Sequence, residues 1–152
     1  IPGRDPVPTG SERIPLGVSK VVRRGKDLTI VATGIMVNKA YEVAEKLAAE
    51  GISIELIDPR TISPLDMKPI HESVEQTGRL LVVQEGPSHG GFINEVIARV
   101  SESPSFGSLI APIKRLGGMN IPIPYAPQLE RAAVPQIEDI EVAAREIVKN
   151  WR

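Results

Sequence analysis

Short apolar segments alternate with helical segments along most of this chain. Residues 28–33, 52–57 and 80–83 are almost continuously apolar, which is typical of strands buried on both faces of a sheet. Amphipathic segments with helical periodicity follow them. Strands that alternate with helices favour a mostly parallel sheet covered by helices on both faces. We therefore expect an α/β fold, a three-layer α/β/α sandwich with about five mostly parallel strands and one antiparallel edge strand.

The periodicity also predicts where the elements lie. We expect strands over 18–22, 28–33, 52–57, 80–83 and 113–116, and helices over 37–50, 64–77, 91–103 and 139–150. The segments 85–90 and 117–128 are rich in glycine or proline, and we expect both to be loops.

The second helix carries a start signal in its sequence. Ser63 is a suitable N-cap residue, and Pro64 suits the first helical position because no amide donor is needed there. Asp66 follows three residues after Ser63, as in a capping box, and its charge favours the positive end of the helix.

Composition excludes several classes of function. The 152-residue chain has no cysteine, so it has neither disulfides nor a thiolate nucleophile or metal ligand. Its formal net charge is −1, with acids and bases mixed, which does not favour nucleic-acid binding. No apolar run reaches the length of a membrane span, and no signal peptide is visible.

The first residues differ in composition from the rest. Residues 1–13 are rich in proline, glycine and charge and are predicted to be an inter-domain linker, and residues 14–152 are predicted to be one domain. The chain starts at Ile1 rather than at methionine. We therefore expect it to be a fragment of a longer polypeptide or a processed product.

Ligands of such sheets usually bind beyond the carboxyl ends of the strands. One candidate there is the loop 85–91, with Ser88 as nucleophile, His89 as base and Asp58 or Glu85 as orienting acid. Adjacent Ser and His rarely present their reactive atoms to one another. The favoured interpretation is a tight loop in which Glu85 and Ser88 cap the next helix, with glycines that permit close packing rather than phosphate binding.

Two other polar residues have simpler interpretations than catalysis. His71 lies in a predicted helix with no second ligand at metal spacing, which indicates a surface or boundary histidine. Arg60 follows a strand, and we expect a structural ion pair with Asp58, with Asp66 or with a partner subunit.

The segment 117–127 is apolar and stiffened by prolines. Met119, Tyr125 and the isoleucines of this segment would be poorly accommodated in water as a group. Two interpretations stay open: a loop that packs over its own domain, or a contact surface for another subunit.

Several segments, taken in order, resemble one family. They are Ile-Pro-Leu-Gly at 14–17, Gly-Lys-Asp-Leu-Thr-Ile-Val at 25–31, Ile-Asp-Pro-Arg-Thr-Ile-Ser-Pro-Leu-Asp at 57–66, Thr-Gly-Arg-Leu-Leu-Val-Val-Gln-Glu-Gly at 77–86, Gly-Gly-Phe at 90–92 and Ile-Pro-Ile-Pro-Tyr-Ala-Pro-Gln-Leu-Glu at 121–130. Together they resemble the C-terminal, transketolase-like domain of the β subunits of thiamine-diphosphate-dependent 2-oxo acid dehydrogenases. Gln84 departs from the His-Glu pair common in that family.

The resemblance implies a parent enzyme that oxidatively decarboxylates a 2-oxo acid (pyruvate, branched-chain or acetoin type) and passes the acyl group to a lipoyl acyltransferase, a disulfide acceptor. Thiamine diphosphate and magnesium would lie between the α subunit and the N-terminal domain of the β subunit. No catalytic, cofactor-binding or metal-binding residue is therefore expected in this chain, which alone would be inactive. The resemblance also implies a bacterial cytoplasmic or mitochondrial matrix location.

The same resemblance implies partners: a second β subunit, the α subunit, and the small, basic subunit-binding domain of the acyltransferase core. The acidic run Glu138, Asp139 and Glu141, with Glu130 nearby, is the predicted docking surface for that basic domain, and Tyr125 is a predicted contact. Two alternatives remain: a domain of another transketolase-like enzyme, such as transketolase or deoxyxylulose-phosphate synthase, or a stand-alone small-molecule-binding module or small enzyme.

Overall fold

A computed structural model describes Gly10 and residues 13–151, and the predicted linker 1–13 lies mostly outside these residues. In the described chain one sheet has the order β1-β3-β2-β4-β5. Its strands are β1 Lys20–Arg23, β2 Leu28–Ala32, β3 Ile54–Asp58, β4 Leu80–Pro87 and β5 Lys114–Gly118. Strands β2 to β5 are parallel to one another, and β1 pairs antiparallel with β3 at one edge. The predicted α/β sheet is confirmed.

Helices cover both faces of the sheet. They are α1 Ile35–Ala48, α2 Lys68–Thr77, α3 Phe92–Ser101, α4 Pro127–Ala133 and α5 Ile137–Asn150, with a 3-10 helix at Pro104–Ser108. Strand β2 lies in the middle and is buried along its whole length. Leu28, Ile30 and Ala32 join the apolar cluster formed with α1 and α5, whereas Val31 joins the cluster formed with α2 and α3. Alternate residues of β2 thus serve opposite layers.

Helix α2 begins later than the sequence predicts. It starts at Lys68, so Ser63 and Pro64 are not its N-cap and first residue. The carboxylate of Asp66 accepts the amide of Ser19 at 3.0 Å and that of Lys68 at 3.2 Å. The predicted start is wrong because this segment is fixed by contacts with a distant part of the chain, which local capping patterns do not encode.

Strand β4 extends into the segment that was predicted as a loop. Its last residues, Glu85–Pro87, are exposed, and Pro87 lies in register with Gly118 of β5. The amide of Ser88 donates to the carbonyl of Gly118 at 3.0 Å. The loop prediction is wrong for residues 85–87, because β5 supplies a hydrogen-bonding edge that glycine and proline content does not reveal, and it is confirmed for residues 88–90.

The loop predicted at 117–128 is shorter in the structure, because a strand occupies its first residues and a helix its last. Gly117 and Gly118 belong to β5, and Pro127 occupies the first turn of α4. Proline is favoured at that position because its missing N–H would be unpaired there in any helix. Helix α5 follows and has a capping box: the side chains of Gln136 and Asp139 each accept a backbone amide of the other.

Candidate interaction surface

The loops that follow β2, β3 and β4 at the carboxyl edge of the sheet do not bring together a nucleophile, a base and an acid. Glu85 and His89 are exposed, and no hydrogen bond among the described residues joins the side chains of Ser88 and His89. The carbonyl of Ser88 instead accepts the side-chain amide of Asn94 at 3.0 Å. The geometry therefore gives no support to the proposed triad.

Gln84, rather than Glu85 or Ser88, caps α3. Its amide nitrogen donates to the carbonyl of Pro87 at 2.6 Å, and its side-chain oxygen accepts the amide of Ile93 at 3.0 Å. Gln84 is buried, and a Cβ on Gly91 would lie 1.9 Å from its amide nitrogen. The capping interpretation holds for the loop but was assigned to the wrong residues. The sequence does contain a signal for this role, since Gln84 is a polar residue at the end of the buried apolar part of β4.

His71 has the surroundings of a structural residue, whereas the predicted ion pair of Arg60 with Asp58 or Asp66 is wrong for the described chain. His71 is half-buried, and its Nδ1 lies 2.9 Å from the hydroxyl of Ser105 and 3.2 Å from that of Ser103. This agrees with a boundary histidine. The backbone amide of Arg60 donates to a carboxylate oxygen of Asp58 at 2.9 Å, but the Arg60 guanidinium forms no ion pair within the described chain.

A row of apolar side chains projects from the segment that carries the prolines. We call it the apolar ridge; it consists of Met119, Ile121, Ile123, Tyr125 and Leu129, all between 46% and 101% exposed. Tyr125 is the fully exposed member. Because these side chains point into solvent, the ridge does not pack over its own domain.

The four predicted acidic residues have different surroundings. Glu130 is exposed, and its carboxylate has no hydrogen bond or ion pair within the described residues. Glu138 lies 3.8 Å from the guanidinium of Arg131, and both side chains are exposed. Asp139 accepts the amide of Gln136 at 2.8 Å. Glu130, Glu138 and Asp139 are thus all exposed, but the carboxylate of Asp139 is used to begin a helix.

Glu141 belongs to a network between α1 and α5. Its carboxylate lies 2.7 Å from Arg145 and 3.7 Å from Lys46, and its side chain is only 19% exposed. Arg145 also donates through Nε to Glu50 at 3.1 Å. The hydrogen bond from Arg145 lowers the pKa of the Glu50 carboxyl, and the same bond raises the pKa of Arg145. These charges compensate one another, which weakens the negative field of Glu141.

The described residues contain no group of three or more His, Asp or Glu side chains able to hold a metal ion. A magnesium diphosphate requires several oxygen ligands on the cation. The donor set of this part of the chain therefore does not fit a resident magnesium–diphosphate group. None of the described helices is long and apolar enough to cross a bilayer.

Comparison with known proteins gives consistent relatives. The chain is 49% identical over 132 residues to the pyruvate dehydrogenase E1 component subunit beta-1 of Arabidopsis thaliana, covering 87% of this chain and 36% of the relative. It is 43% identical over 146 residues to the acetoin:2,6-dichlorophenolindophenol oxidoreductase subunit beta of Cupriavidus necator, covering 96% of this chain and 43% of the relative. The chain thus spans about two-fifths of the length of these curated relatives.

A solved structure described as a split-gene transketolase, an inactive beta4 tetramer, has a similar fold. Its TM-score is 0.79 at 29% sequence identity, and the match covers 99% of this chain and 47% of that one. The profile of the transketolase C-terminal domain matches residues 17–140, which include the whole sheet and helices α1 to α4. The chain therefore belongs to the transketolase C-terminal domain family.

Proposed function

We propose that this chain is the assembly domain of the β subunit of a 2-oxo acid dehydrogenase E1 component. The observation that carries the proposal is the apolar ridge, an exposed apolar surface on the described part of the domain. Exposed apolar patches of this kind mark protein contacts. Relatives named as β subunits of pyruvate and 2-oxoisovalerate dehydrogenases support the choice of enzyme.

The parent enzyme oxidatively decarboxylates a 2-oxo acid and passes the acyl group to a lipoyl acyltransferase. Thiamine diphosphate with magnesium supplies the electron sink for that chemistry, and we place its ligands outside this chain. The chain's own contribution is to hold subunits together. We expect the protein to be located in the cytoplasm of a bacterium or in a mitochondrial matrix. We also propose that residues 1–13 are the linker to a preceding domain.

The apolar ridge is proposed to contact a second β subunit. Its side chains would leave water on association, and the prolines restrict the unbound segment so that less conformational entropy is lost. The beta4 tetramer in the description of the similar transketolase supports contacts between β chains. The α subunit would bind elsewhere on the parent β subunit.

Sedimentation velocity over a range of concentrations tests the ridge. Replacing Tyr125 and Leu129 together by Ser should weaken self-association at least tenfold, because both side chains are exposed and apolar. Tyr41→Ser, at an exposed tyrosine of α1, is the matched control and should leave association unchanged. Equal association of the wild type and the double variant would reject the ridge as the contact.

The acidic face is proposed to bind the basic subunit-binding domain of the acyltransferase core. Glu130 and Glu138 are the residues suited to this role, because both side chains are exposed and neither caps a helix, whereas Asp139 caps α5 and the Glu141 side chain is only 19% exposed. Charge complementarity would add mainly to association rate and specificity.

Titration calorimetry against that small domain tests the acidic face. Charge reversal by Glu130→Lys and Glu138→Lys should weaken binding and reduce its dependence on salt. Glu75→Lys, an exposed position of α2 on another part of the surface, should leave affinity unchanged. Equal affinity for the wild type and the doubly reversed variant would count against acidic docking.

The alternative of another transketolase-like enzyme rests on the 29% identical structural match. The 2-oxo acid dehydrogenase and acetoin β subunits are more similar, at 39% to 49% identity. This difference favours the first proposal. A stand-alone enzyme built on loop 85–91 would show turnover that is lost on His89→Ala, and we expect none.

A further inference from the structure

Arg60 lies where two cavities meet at the carboxyl edge of the sheet. The smaller, of about 140 Å³, is lined by residues 58–62 and by Thr33 and Gly34. The larger is an open groove of about 560 Å³ whose lining includes Lys20, Asn38 and Asp58. Arg60 lines both. We call the combined space the Arg60 groove.

Hydrogen bonds fix the backbone that presents Arg60. Its φ is 59°, a left-handed value that is uncommon for a residue other than glycine. Its amide is held by the Asp58 carboxylate at 2.9 Å. The hydroxyl of Thr61 accepts the amide of Gly17 at 3.0 Å and donates to the carbonyl of Pro64 at 3.0 Å. The side chain therefore projects from an ordered point, so little backbone entropy is lost when a ligand binds.

The groove is rich in unused donors. Neither Arg60 nor Lys20 forms an ion pair within the described residues, although about half of the other described cations do so. The Asn38 side chain likewise has no hydrogen-bond partner in that part of the chain. Asp58 contributes one negative charge, and one of its oxygens is already engaged by the Arg60 amide. The lining thus carries two cations against one acid.

We propose that the Arg60 groove binds a small organic anion through a carboxylate or phosphate group. The planar guanidinium of Arg60 can donate two parallel hydrogen bonds to either oxyanion, and Lys20 adds a second positive charge. Asn38 supplies a neutral donor. The volume suits a ligand of metabolite size rather than a macromolecular segment. This site lies on residues separate from the apolar ridge, so it stands independently of the assembly proposal.

Amide NMR titration of the full 152-residue chain tests the proposal. The probes are inorganic phosphate and acetate, each added at constant ionic strength so that general screening does not change. Saturable changes in the amide chemical shifts are expected at residues 33–38 and 58–62. Arg60→Gln and Lys20→Gln should each weaken the apparent affinity at least tenfold. Lys26→Gln, which removes an exposed cation from the β1–β2 turn, is the charge-matched control and should leave affinity unchanged.

The two probes also distinguish the ligand class. Tighter phosphate binding assigns a phosphate-bearing ligand, and tighter acetate binding assigns a carboxylate. Absence of saturable shifts with both probes overturns the proposal, as does an equal loss of affinity in Lys26→Gln. If Arg60→Gln disturbs the loop through its unusual φ, Lys20→Gln decides, because Lys20 has an ordinary strand backbone. Sedimentation of these variants should match the wild type, which separates this result from the ridge test.

Discussion

At the scale of single residues, Gly25 shows how closely two backbones approach. A Cβ at this position would lie 2.1 Å from the carbonyl carbon of Ile54 and 2.3 Å from the amide nitrogen of Glu55. Both are backbone atoms of β3 and cannot rotate away. The Gly25 amide also donates to the buried carboxylate of Glu55 at 3.1 Å. Gly25 is therefore required by the close contact itself, without any unusual φ.

Gly25→Ala should destabilise the chain by about 1–3 kcal/mol or more, because the added methyl group forces β3 and the turn apart. Urea unfolding measures the change. Gly107→Ala is the control, since a Cβ there meets nothing within 4 Å and Gly107 has no positive φ. Equal destabilisation by the two substitutions would contradict the steric explanation.

At the scale of elements, helix α5 begins with a capping box that uses one of the acidic residues predicted to bind a partner. Asp139→Ala should lower the free energy of unfolding by about 0.5–2 kcal/mol, because the Gln136 amide loses its acceptor. Asp139→Asn should recover most of this loss, since its side-chain oxygen can accept the same bond. Chemical denaturation of the two variants checks the prediction, and similar losses in both would contradict it.

A charge contact with a measurable titration joins Glu50, in the turn after α1, to Arg145 in the middle of α5. The Arg145 guanidinium lowers the pKa of the Glu50 carboxyl in the folded chain. The contact stabilises the folded chain fully at pH values above the pKa that Glu50 has in the unfolded chain. This stabilisation is lost as the pH falls through the lower pKa that Glu50 has in the folded chain. Carbon NMR of the Glu50 carboxyl should give a lowered pKa in the wild type.

Arg145→Gln should return the Glu50 pKa towards its ordinary value, whereas Lys149→Gln, which changes only a weaker Coulomb contribution, should shift it less. Because both Glu50 and Arg145 are on the surface, added salt should also reduce the shift. An unchanged Glu50 pKa in Arg145→Gln would contradict the assignment.

At the scale of the whole molecule, Arg79 joins parts of the chain that are far apart in sequence. Its guanidinium donates to the carbonyls of Asp27 and Thr77, at 3.2 and 3.3 Å, and to the carbonyl of Trp151. Its Nε is buried without a partner among the described residues. One side chain thus connects the turn before β2, the end of α2 and the end of α5.

Arg79→Gln should destabilise the chain by about 1.5–3 kcal/mol, because charged hydrogen bonds to several carbonyls are lost together. Thermal or urea unfolding measures it, and hydrogen exchange should show faster opening at the end of α5. Arg99→Gln removes only an exposed pair with Glu95 on the same helix and should cost about 0.5 kcal/mol or less. Comparable losses in the two variants would argue against this role for Arg79.

The layered arrangement of sheet and helices was predictable from the sequence, because strands that are buried on both faces consist almost entirely of apolar residues. The segments Leu28–Ala32 and Ile54–Asp58 show this pattern, and both lie inside the sheet. The resemblance to the transketolase-like domain of β subunits also held, because its motifs are spread along the chain in order. The candidate surface was less predictable: Tyr125 and Glu130 could be named from sequence, but their exposure could not.

The sequence by itself determined the order of the strands and of helices α1, α2, α3 and α5, the absence of cysteine chemistry and the family, since these depend on local periodicity and residue type, but it did not reveal α4. Only the tertiary structure decided that α2 starts at Lys68, that β4 continues to Pro87 and that Glu141 of α5 lies beside Lys46 of α1. Each of these depends on a hydrogen bond or charge contact with another element. Such contacts form only when the chain is folded, so no window of sequence contains both partners.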